Sequence, residues 1–524
     1  MSSASLVWFR QDLRLKDNPA LRAALARGGP VVPVFIRDDS AEGGWAPGGA
    51  SSWWLHHALA SLDAALRERG SRLIFARGES SAVLVEIARK AGAGAVFWNE
   101  RHEPEPRRRD REVRAALAAA GMETATSNSA LFFDPAGLLN RQGTPFQVFT
   151  PFWRRCLELP VEPPVRVPAG AIPAPRSWPR SLDLAQLGFL PGLGWTSGLA
   201  QVWQPGEDGA ARRLAAFVRA PMGAYGEGRD RPDRDGTSQL SPWLHFGELG
   251  PRQVWAAVKA SAGGTGVFPP SRGAGVFLSE IGWREFAYHL LHHFPTTPHE
   301  PLRPAFRRFA WAEDPDGAGL RAWQQGATGY PIVDAGMRQL WRTGWMHNRV
   351  RMIAASFLVK DLRLPWGLGA AWFWDCLVDA DLASNTLNWQ WSAGCGADAA
   401  PYFRIFSPVR QGERFDPDGT YVRRWVPELA RLPSEWIHCP WEAPPEVLAG
   451  AGVRLGGTYP RPVVEHTAAR AAALTAFKAL RAGVPEEGAK PDSAGERADA
   501  RLRDAAVRLN RGRSPRASDI RPIA

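Results

Sequence analysis

Several short stretches of this chain combine acids, amides and indoles at spacings suited to gripping a flat, hydrogen-bonding ring. Glu280 and Trp283 stand three apart, which makes them neighbours on a helix. A carboxyl beside an indole in apolar company has a raised pKa and can donate a hydrogen bond, although an ordinary surface glutamate is the plainer alternative. Trp345, Asn348, Arg349 and Met352 follow an i, i+3, i+4, i+7 pattern, so a helix through them shows one mixed face, too polar for a core and too apolar for solvent. A capping or interface stripe is the other reading of that spacing. Asp379, Asp381, Asn385, Asn388, Trp389 and Trp391, followed by Tyr402-Phe403-Arg404, fit a pocket for a heterocycle with polar edges. The hydroxyls of Thr237, Ser238 and Ser241 could seat phosphates without a Walker motif, but such residues also cap helices.

Composition narrows the partners. Lys+Arg exceeds Asp+Glu by 64 − 53 = +11, the balance expected of a surface that meets phosphates, unless it merely reflects an arginine-favouring genome. Twenty-four Trp stand beside 6 Tyr, which suggests aromatic ligands or electron transfer, with core filling as the alternative. No apolar run approaches the roughly 20 residues that cross a bilayer. Cys156, Cys376, Cys395 and Cys439 lie too far apart for a disulfide framework or a zinc site, and His292-His293 lacks partners at ligand spacing, so buried thiols and no metal are expected. Met1–Leu6 has no basic-then-apolar leader, which points to a cytoplasmic protein, associated with the bacterial nucleoid if its partner is DNA.

The elements that must position these residues fall into an α/β half and an α-helical half. Leu6–Phe9, Val31–Ile36, Arg72–Ala76 and Ala95–Trp98 read as strands, alternating with helical stretches such as Ser51–Arg67 and Ser81–Ala91. That is the pattern of a doubly wound parallel sheet, Rossmann-like although no G-x-G-x-x-G follows its first strand. Seven prolines between Pro160 and Pro179 predict a stretch without regular structure as far as Gly206. The expected domains are an α/β domain over 1–130, a linker over 131–207, an all-α domain over 208–482, and a basic tail over 483–524, partly helical around Glu496–Leu509.

Three blocks decide what this organisation resembles: Thr328-Gly329-Tyr330-Pro331-Ile332-Val333-Asp334-Ala335, the Trp345-Met346-His347-Asn348 stretch, and Asn388-Trp389-Gln390-Trp391. Together with Val7-Trp8-Phe9-Arg10-Gln11-Asp12-Leu13-Arg14, they make the chain similar to the DNA photolyase/cryptochrome family, most of all to class I cyclobutane pyrimidine dimer photolyases, over nearly its whole length except the tail.

The resemblance implies a light-dependent repair lyase that splits pyrimidine dimers in ultraviolet-damaged DNA by electron transfer from excited, reduced FAD to an everted dimer. It implies FAD in the helical domain, a monomer, and no membrane partner. Tyr225, Thr237, Ser238, Leu240 and Ser241 match residues that hold the phosphates and ribityl chain. Trp345, Arg351, Asp379, Asp381 and Asn385 match those around the ring system, with Arg351 paired to Asp379. A neutral amide at Asn385 suits an anionic reduced flavin.

Trp283 and Trp391 match the walls of the lesion cavity, Glu280 and Asn348 the groups on the pyrimidine edges, and Met352 a packing residue. The related 6-4 photolyases carry a His pair where this chain has Asn348 and Met352. Arg229, Arg349 and Arg404 match cations that grip the kinked backbone, and Trp389, Trp366 and Trp311 a relay that photoreduces the flavin.

An antenna pigment belongs to the α/β domain. Phe97-Trp98-Asn99-Glu100 resembles the deazaflavin-binding type, although Arg101 replaces an acid; Glu105-Pro106 and Pro298-His299 stand where folate binders carry Asn-Glu and Cys-Lys, so folate is not expected, and a second flavin or no antenna stays open. The rival reading is a cryptochrome, a blue-light sensor that signals through its tail without repair. A plain FAD oxidoreductase comes third.

Overall fold

The computed structural model describes residues 3–190, 194–262, 268–398 and 403–482. The expected tail with its helix at Glu496–Leu509, and Tyr402, lie outside the described residues. The chain forms two compact units: one comprises Met1–Gly226, Thr237–Pro295 and Val378–Ala383, the other Glu227–Gly236, Thr296–Leu377 and Ser384–Ala524.

The first unit is built on five parallel strands, β1 (Ala4–Phe9), β2 (Val31–Arg37), β3 (Ile74–Arg77), β4 (Ala93–Asn99) and β5 (Glu123–Ser127), in the order β3-β2-β1-β4-β5. Four sit where their apolar runs predict. The fifth was not expected, because an edge strand reading Glu-Thr-Ala-Thr-Ser has no apolar run to announce it. Crossover helices α1 (Pro19–Arg27), α2 (Gly49–Glu68), α3 (Ser80–Ala91) and α4 (Pro104–Ala119) connect the strands.

Local chemistry sets their ends. Asn18 accepts from the Leu21 N–H ahead of Pro19, and Glu79 accepts from Ser81 and Ala82 ahead of α3, which Gly92 closes in the left-handed conformation at φ 59°. The sheet's core on one face joins Trp8 of β1 to Trp98 of β4 edge-on, 6.0 Å apart, with Val34, Ile74 and Leu84.

The expectation that Pro160–Gly206 lacks regular structure holds up to the turn at Leu184–Leu187, but Ser197–Val202 is helical. No proline falls in that stretch, so its backbone donors remain available. Four buried tryptophan and phenylalanine rings then gather in the first unit: Trp54 meets Trp203, Trp243 and Phe246. Inside this cage Glu248, fully buried, accepts from Trp54 Nε1 at 2.8 Å and from the Gly206 N–H, and burial raises its pKa to about 8.

The second unit is helical. Its Thr328–Ala335 block is a cap built around one carboxylate. Asp334, fully buried at the start of the helix Pro331–Thr343, accepts from Thr328 N (2.7 Å), Thr328 Oγ1 (2.6 Å), Gly329 N (3.1 Å) and Tyr459 Oη (2.7 Å). Truncation would leave all of these donors buried without an acceptor, so Asp334→Ala is expected to cost about 3 kcal/mol or more in denaturant titration; a loss below about 1 kcal/mol would contradict this account.

Candidate functional site

In the first unit the hydroxyl-bearing segment is drawn taut by an arginine that sequence spacing did not single out. Arg213 donates to the carbonyls of Thr237 and Ser238, both at 2.8 Å, and Gln239 takes φ 52°. Ser241 then donates to Asp379 Oδ2 at 2.6 Å, a pairing that the spacing of the two residues did not suggest. Leu240 is buried, and Tyr225 is buried edge-on against Phe217 and Phe277, 5.6 Å from each.

Asp381 accepts from the Tyr288 hydroxyl and lies 3.6 Å from His245 Nδ1. Burial works to raise its pKa, but the proximity of His245, the Arg284 charge and the Tyr288 hydrogen bond outweigh it and hold this carboxyl well below the usual range.

Glu280 and Trp283 lie on the 22-residue helix Arg272–His293, started by Ser271, whose hydroxyl accepts from Ala274 N. Both are half-buried. Trp283 stacks on Phe149 with ring centroids 3.9 Å apart and planes 10° apart and meets Phe286 edge-on at 5.8 Å, so one face of the indole is committed. The adjacent Gly282 is required, because a Cβ there would come within 2.5 Å of Trp153. Phe149 was missed in the sequence: nothing in a spacing of more than a hundred residues pairs it with Trp283, and its only signal is the aromatic run Phe149-Thr150-Pro151-Phe152-Trp153.

In the second unit the helix expected through Trp345–Met352 begins only at Asn348. Gly344, left-handed at φ 67°, ends the preceding helix, and His347 caps the next one by accepting from Arg349 N at 3.2 Å. Trp345 therefore does not share a helix face with Asn348, Arg349 and Met352, and the single mixed face inferred from spacing is corrected. Trp345 reaches the same neighbourhood differently: Arg351 donates Nε to the Met346 carbonyl at 2.8 Å, which brings its guanidinium 5.9 Å from the Trp345 ring. Burial lowers the His347 pKa to about 4, keeping the cap a neutral acceptor.

Asn385 lies on the helix Leu382–Ala393 and donates Nδ2 to the Ala370 carbonyl at 3.1 Å. Trp345, Arg351 and Asn385 are half-exposed, while Met346, Val350 and Ile353, near the first two in sequence, are buried. An indole, a guanidinium and an amide are side chains of the kind that an anionic, flat ring with hydrogen-bonding edges calls for.

Of the lesion and backbone residues, Met352, Trp391 and Arg404 line one small pocket with Ser356, Lys360 and Phe406. Asn348 is exposed as the first residue of its helix. Arg349 is held rather than free: Nη2 pairs with Asp230 Oδ1 at 2.7 Å and the guanidinium lies 4.5 Å from the Phe415 ring, while Arg229, next to Asp230 in sequence, is half-buried.

Trp389 packs against Phe373 (5.0 Å) and Trp323 (6.1 Å); Trp311 packs on Phe309 (4.6 Å); Trp366 is the buried first residue of the helix Trp366–Cys376. All four cysteines are free and buried. Among the described residues no cluster of His, Cys, Asp and Glu could hold a metal, and no helix is long and apolar enough to cross a membrane.

Comparison with known proteins bears on all of this. Residues 277–479 match the FAD binding domain of DNA photolyase, and residues 5–169 match the DNA photolyase model. A deoxyribodipyrimidine photo-lyase of Agrobacterium fabrum is 47% identical over 479 residues, 91% of this chain and 98% of that protein. The chain belongs to the DNA photolyase/cryptochrome family.

Cryptochrome-1 of Arabidopsis thaliana is 40% identical over 88% of this chain and 68% of its own length. The crystal structure of a bacterial class III photolyase from Agrobacterium tumefaciens is 46% identical, covers 92% of this chain and 98% of its own, and superposes with a TM-score of 0.87. The expected α/β plus all-α photolyase fold and the FAD-binding domain are thus found.

The raised carboxyl on the helix Arg272–His293 that the structure describes is Glu285. It is buried, accepts from Phe132 N at 3.0 Å, and burial lifts its pKa to about 7 against the opposing Arg284 charge. Its folded pKa lies above the unfolded value, so its stabilisation is full below about pH 4.5 and is lost as pH rises through 7. Stability is expected to fall by roughly 3 kcal/mol between pH 4.5 and 8 through this group, and Glu285→Gln should remove that part of the slope in denaturation series at several pH values.

Proposed function

We propose that the chain is a light-driven repair lyase that splits cyclobutane pyrimidine dimers, acting as a monomer on ultraviolet-damaged DNA in the bacterial cytoplasm, at the nucleoid. The observation that carries this reading is the pocket where Met352, Trp391 and Arg404 converge: a thioether and an indole for apolar ring faces, with a cation at the mouth for a phosphodiester. Reduced FAD, when bound, supplies one photo-excited electron to the lesion and takes it back.

The chain's own residues prepare that exchange. Thr237 and Ser238, with Tyr225 and Leu240, would offer hydroxyls and packing to the phosphates and ribityl chain, Ser241, its proton on Asp379, would accept from a ribityl hydroxyl, and Arg213 fixes the backbone that carries the first two. Asp379 and Asp381 accept from the polar edges of the cofactor. Arg351 and Trp345 supply a positive charge and an apolar face to the ring, and Asn385, tied through Nδ2 to Ala370, presents its carbonyl oxygen to a ring N–H without adding negative charge.

Trp283, backed by Phe149, and Trp391 form apolar walls for the everted bases, and Met352 packs on them. Glu280 and Asn348 hydrogen-bond the pyrimidine edges, the Glu280 proton lying where negative charge develops as the ring splits. Arg229, Arg349 and Arg404 position the backbone, with Arg349 steered by Asp230. Trp389, Trp366 and Trp311 serve as the photoreduction relay.

Glu280, Trp283, Asn348 and Met352 support a cyclobutane substrate; the class I reading rests on the sequence resemblance, whereas the similar Agrobacterium tumefaciens structure is described as class III. An antenna pigment, deazaflavin or another flavin, would belong near Phe97–Asn99 at the end of β4. There Arg101 is engaged by Glu42 (2.6 Å) and Glu103 (2.9 Å). The cryptochrome reading draws on the Arabidopsis relative, but a light sensor has no need of the lesion pocket's polar set.

Reduced protein incubated with thymine-dimer DNA under blue light should restore the bases' absorbance, and no recovery would favour the sensor. Glu280→Ala should keep FAD and most DNA affinity yet lower the repair quantum yield, a hydrogen bond to developing charge being worth about 1.5 kcal/mol, roughly tenfold. An unchanged yield removes Glu280 from the mechanism. Trp366→Phe should block photoreduction of oxidised protein while chemically reduced protein still repairs; efficient photoreduction in that variant discards the relay assignment.

A further inference from the structure

The helix Asn348–Ser356 runs on into a single π-helical turn, Phe357–Asp361, that carries two buried charges side by side, Lys360 and Asp361. A π-turn inserts one extra residue into the helical ladder and persists where that geometry is used. Lys360 Nζ donates to the carbonyl of Ala393, the last residue of the helix Leu382–Ala393, at 2.9 Å, and stands 3.0 Å from the centre of the Phe403 ring.

Phe477, on the helix His466–Ala482, stacks on the same ring at 4.4 Å with planes 9° apart. An ammonium and a ring this close and this parallel cannot share one face, so Lys360 and Phe477 grip Phe403 from opposite sides. Gly394 at φ 88° lets them close: a Cβ there would come within 3.2 Å of Phe403. Asp361 pairs with His466, fixing the start of the helix that carries Phe477. Burial pulls the Lys360 pKa well down, so the carbonyl and the ring face are what the charged form has to hold it.

The residue after Phe403 is Arg404, exposed at the mouth of the pocket that Lys360, Met352 and Trp391 also line. We propose that Lys360 is a positioning residue for DNA binding: clamping Phe403 against Phe477 and tethering the Ala393 carbonyl, it holds Arg404 and the Trp391 wall in register for a phosphodiester beside the lesion. This rests on the reading of Arg404 as a backbone contact. Nothing in the arrangement calls on Lys360 to touch the substrate. Its ammonium is spent on the protein, and its effect passes through Arg404.

The test compares Lys360→Met, Phe477→Ala and Arg404→Ala in the full-length, flavin-loaded protein, reading thymine-dimer DNA affinity against salt concentration. Met keeps the length of the side chain without the charge, and Phe477→Ala perturbs the clamp from a half-buried helix should the Lys360 variant fold poorly. With flavin absorption retained, each is expected to weaken binding about tenfold and to flatten the slope of log Kd against log[salt] by about one, as loss of one phosphate contact does. Lys360→Met combined with Arg404→Ala should bind no worse than Arg404→Ala alone. Full affinity and slope in both clamp variants, or losses that add to that of Arg404→Ala, overturn the positioning role. If Arg404→Ala itself binds normally, the backbone contact on which the proposal rests is what fails.

Discussion

Asn385 spends its amide N–H on the Ala370 carbonyl, and that bond decides what the open face of the helix Leu382–Ala393 presents to a ring. A carboxylate in the same place would add negative charge beside a cofactor that must itself carry one. A neutral amide oxygen held by the backbone adds no such charge at that position. The proposed loan and recovery of an electron would need a surrounding polar enough to orient the ring and poor in negative charge, and Met346, Val350 and Ile353, all buried, would help to keep it dry.

The rest of the structure serves that constraint by fixing polar side chains with other polar side chains. Arg213 holds the Thr237 and Ser238 carbonyls, Tyr288 and His245 hold Asp381, Asp230 holds Arg349, and Lys360 holds the Ala393 carbonyl. None of these holders needs to reach a ligand. Each restricts a residue proposed to line the site or the backbone beside it, so part of the cost of ordering that region falls on folding rather than on binding. Asp334 does the same for the Thr328–Ala335 block, which is so distinctive as a sequence because one buried carboxylate accepts from its threonine and its glycine.

Much of this was legible in the amino-acid order. Apolar runs placed four of the five strands, and the proline-rich stretch was open for most of its length. The fifth strand escaped because an edge strand alternates small polar residues and buries little. Trp345 was misplaced by periodicity: the spacing suited a helix, but Gly344 ends one helix and His347 starts another, and a left-handed glycine outweighs a period match. The residues proposed to face a ligand stood out by being the wrong polarity for their neighbours in sequence, whereas Phe149, Arg213 and Phe477 act through partners far off in sequence that no local pattern encodes. Lys360 was not singled out in the sequence, and only its place against Phe403 gave it meaning.

The central claim is that light energises an electron on the reduced cofactor and the lesion receives it directly. The fluorescence lifetime of the reduced flavin in the purified protein, with and without thymine-dimer DNA, reports that transfer before any product forms. The lifetime should shorten on adding dimer-containing DNA and stay as it was with the same duplex undamaged. An identical lifetime with both DNAs would mean that no charge passes to the lesion, and the proposed repair chemistry would be wrong.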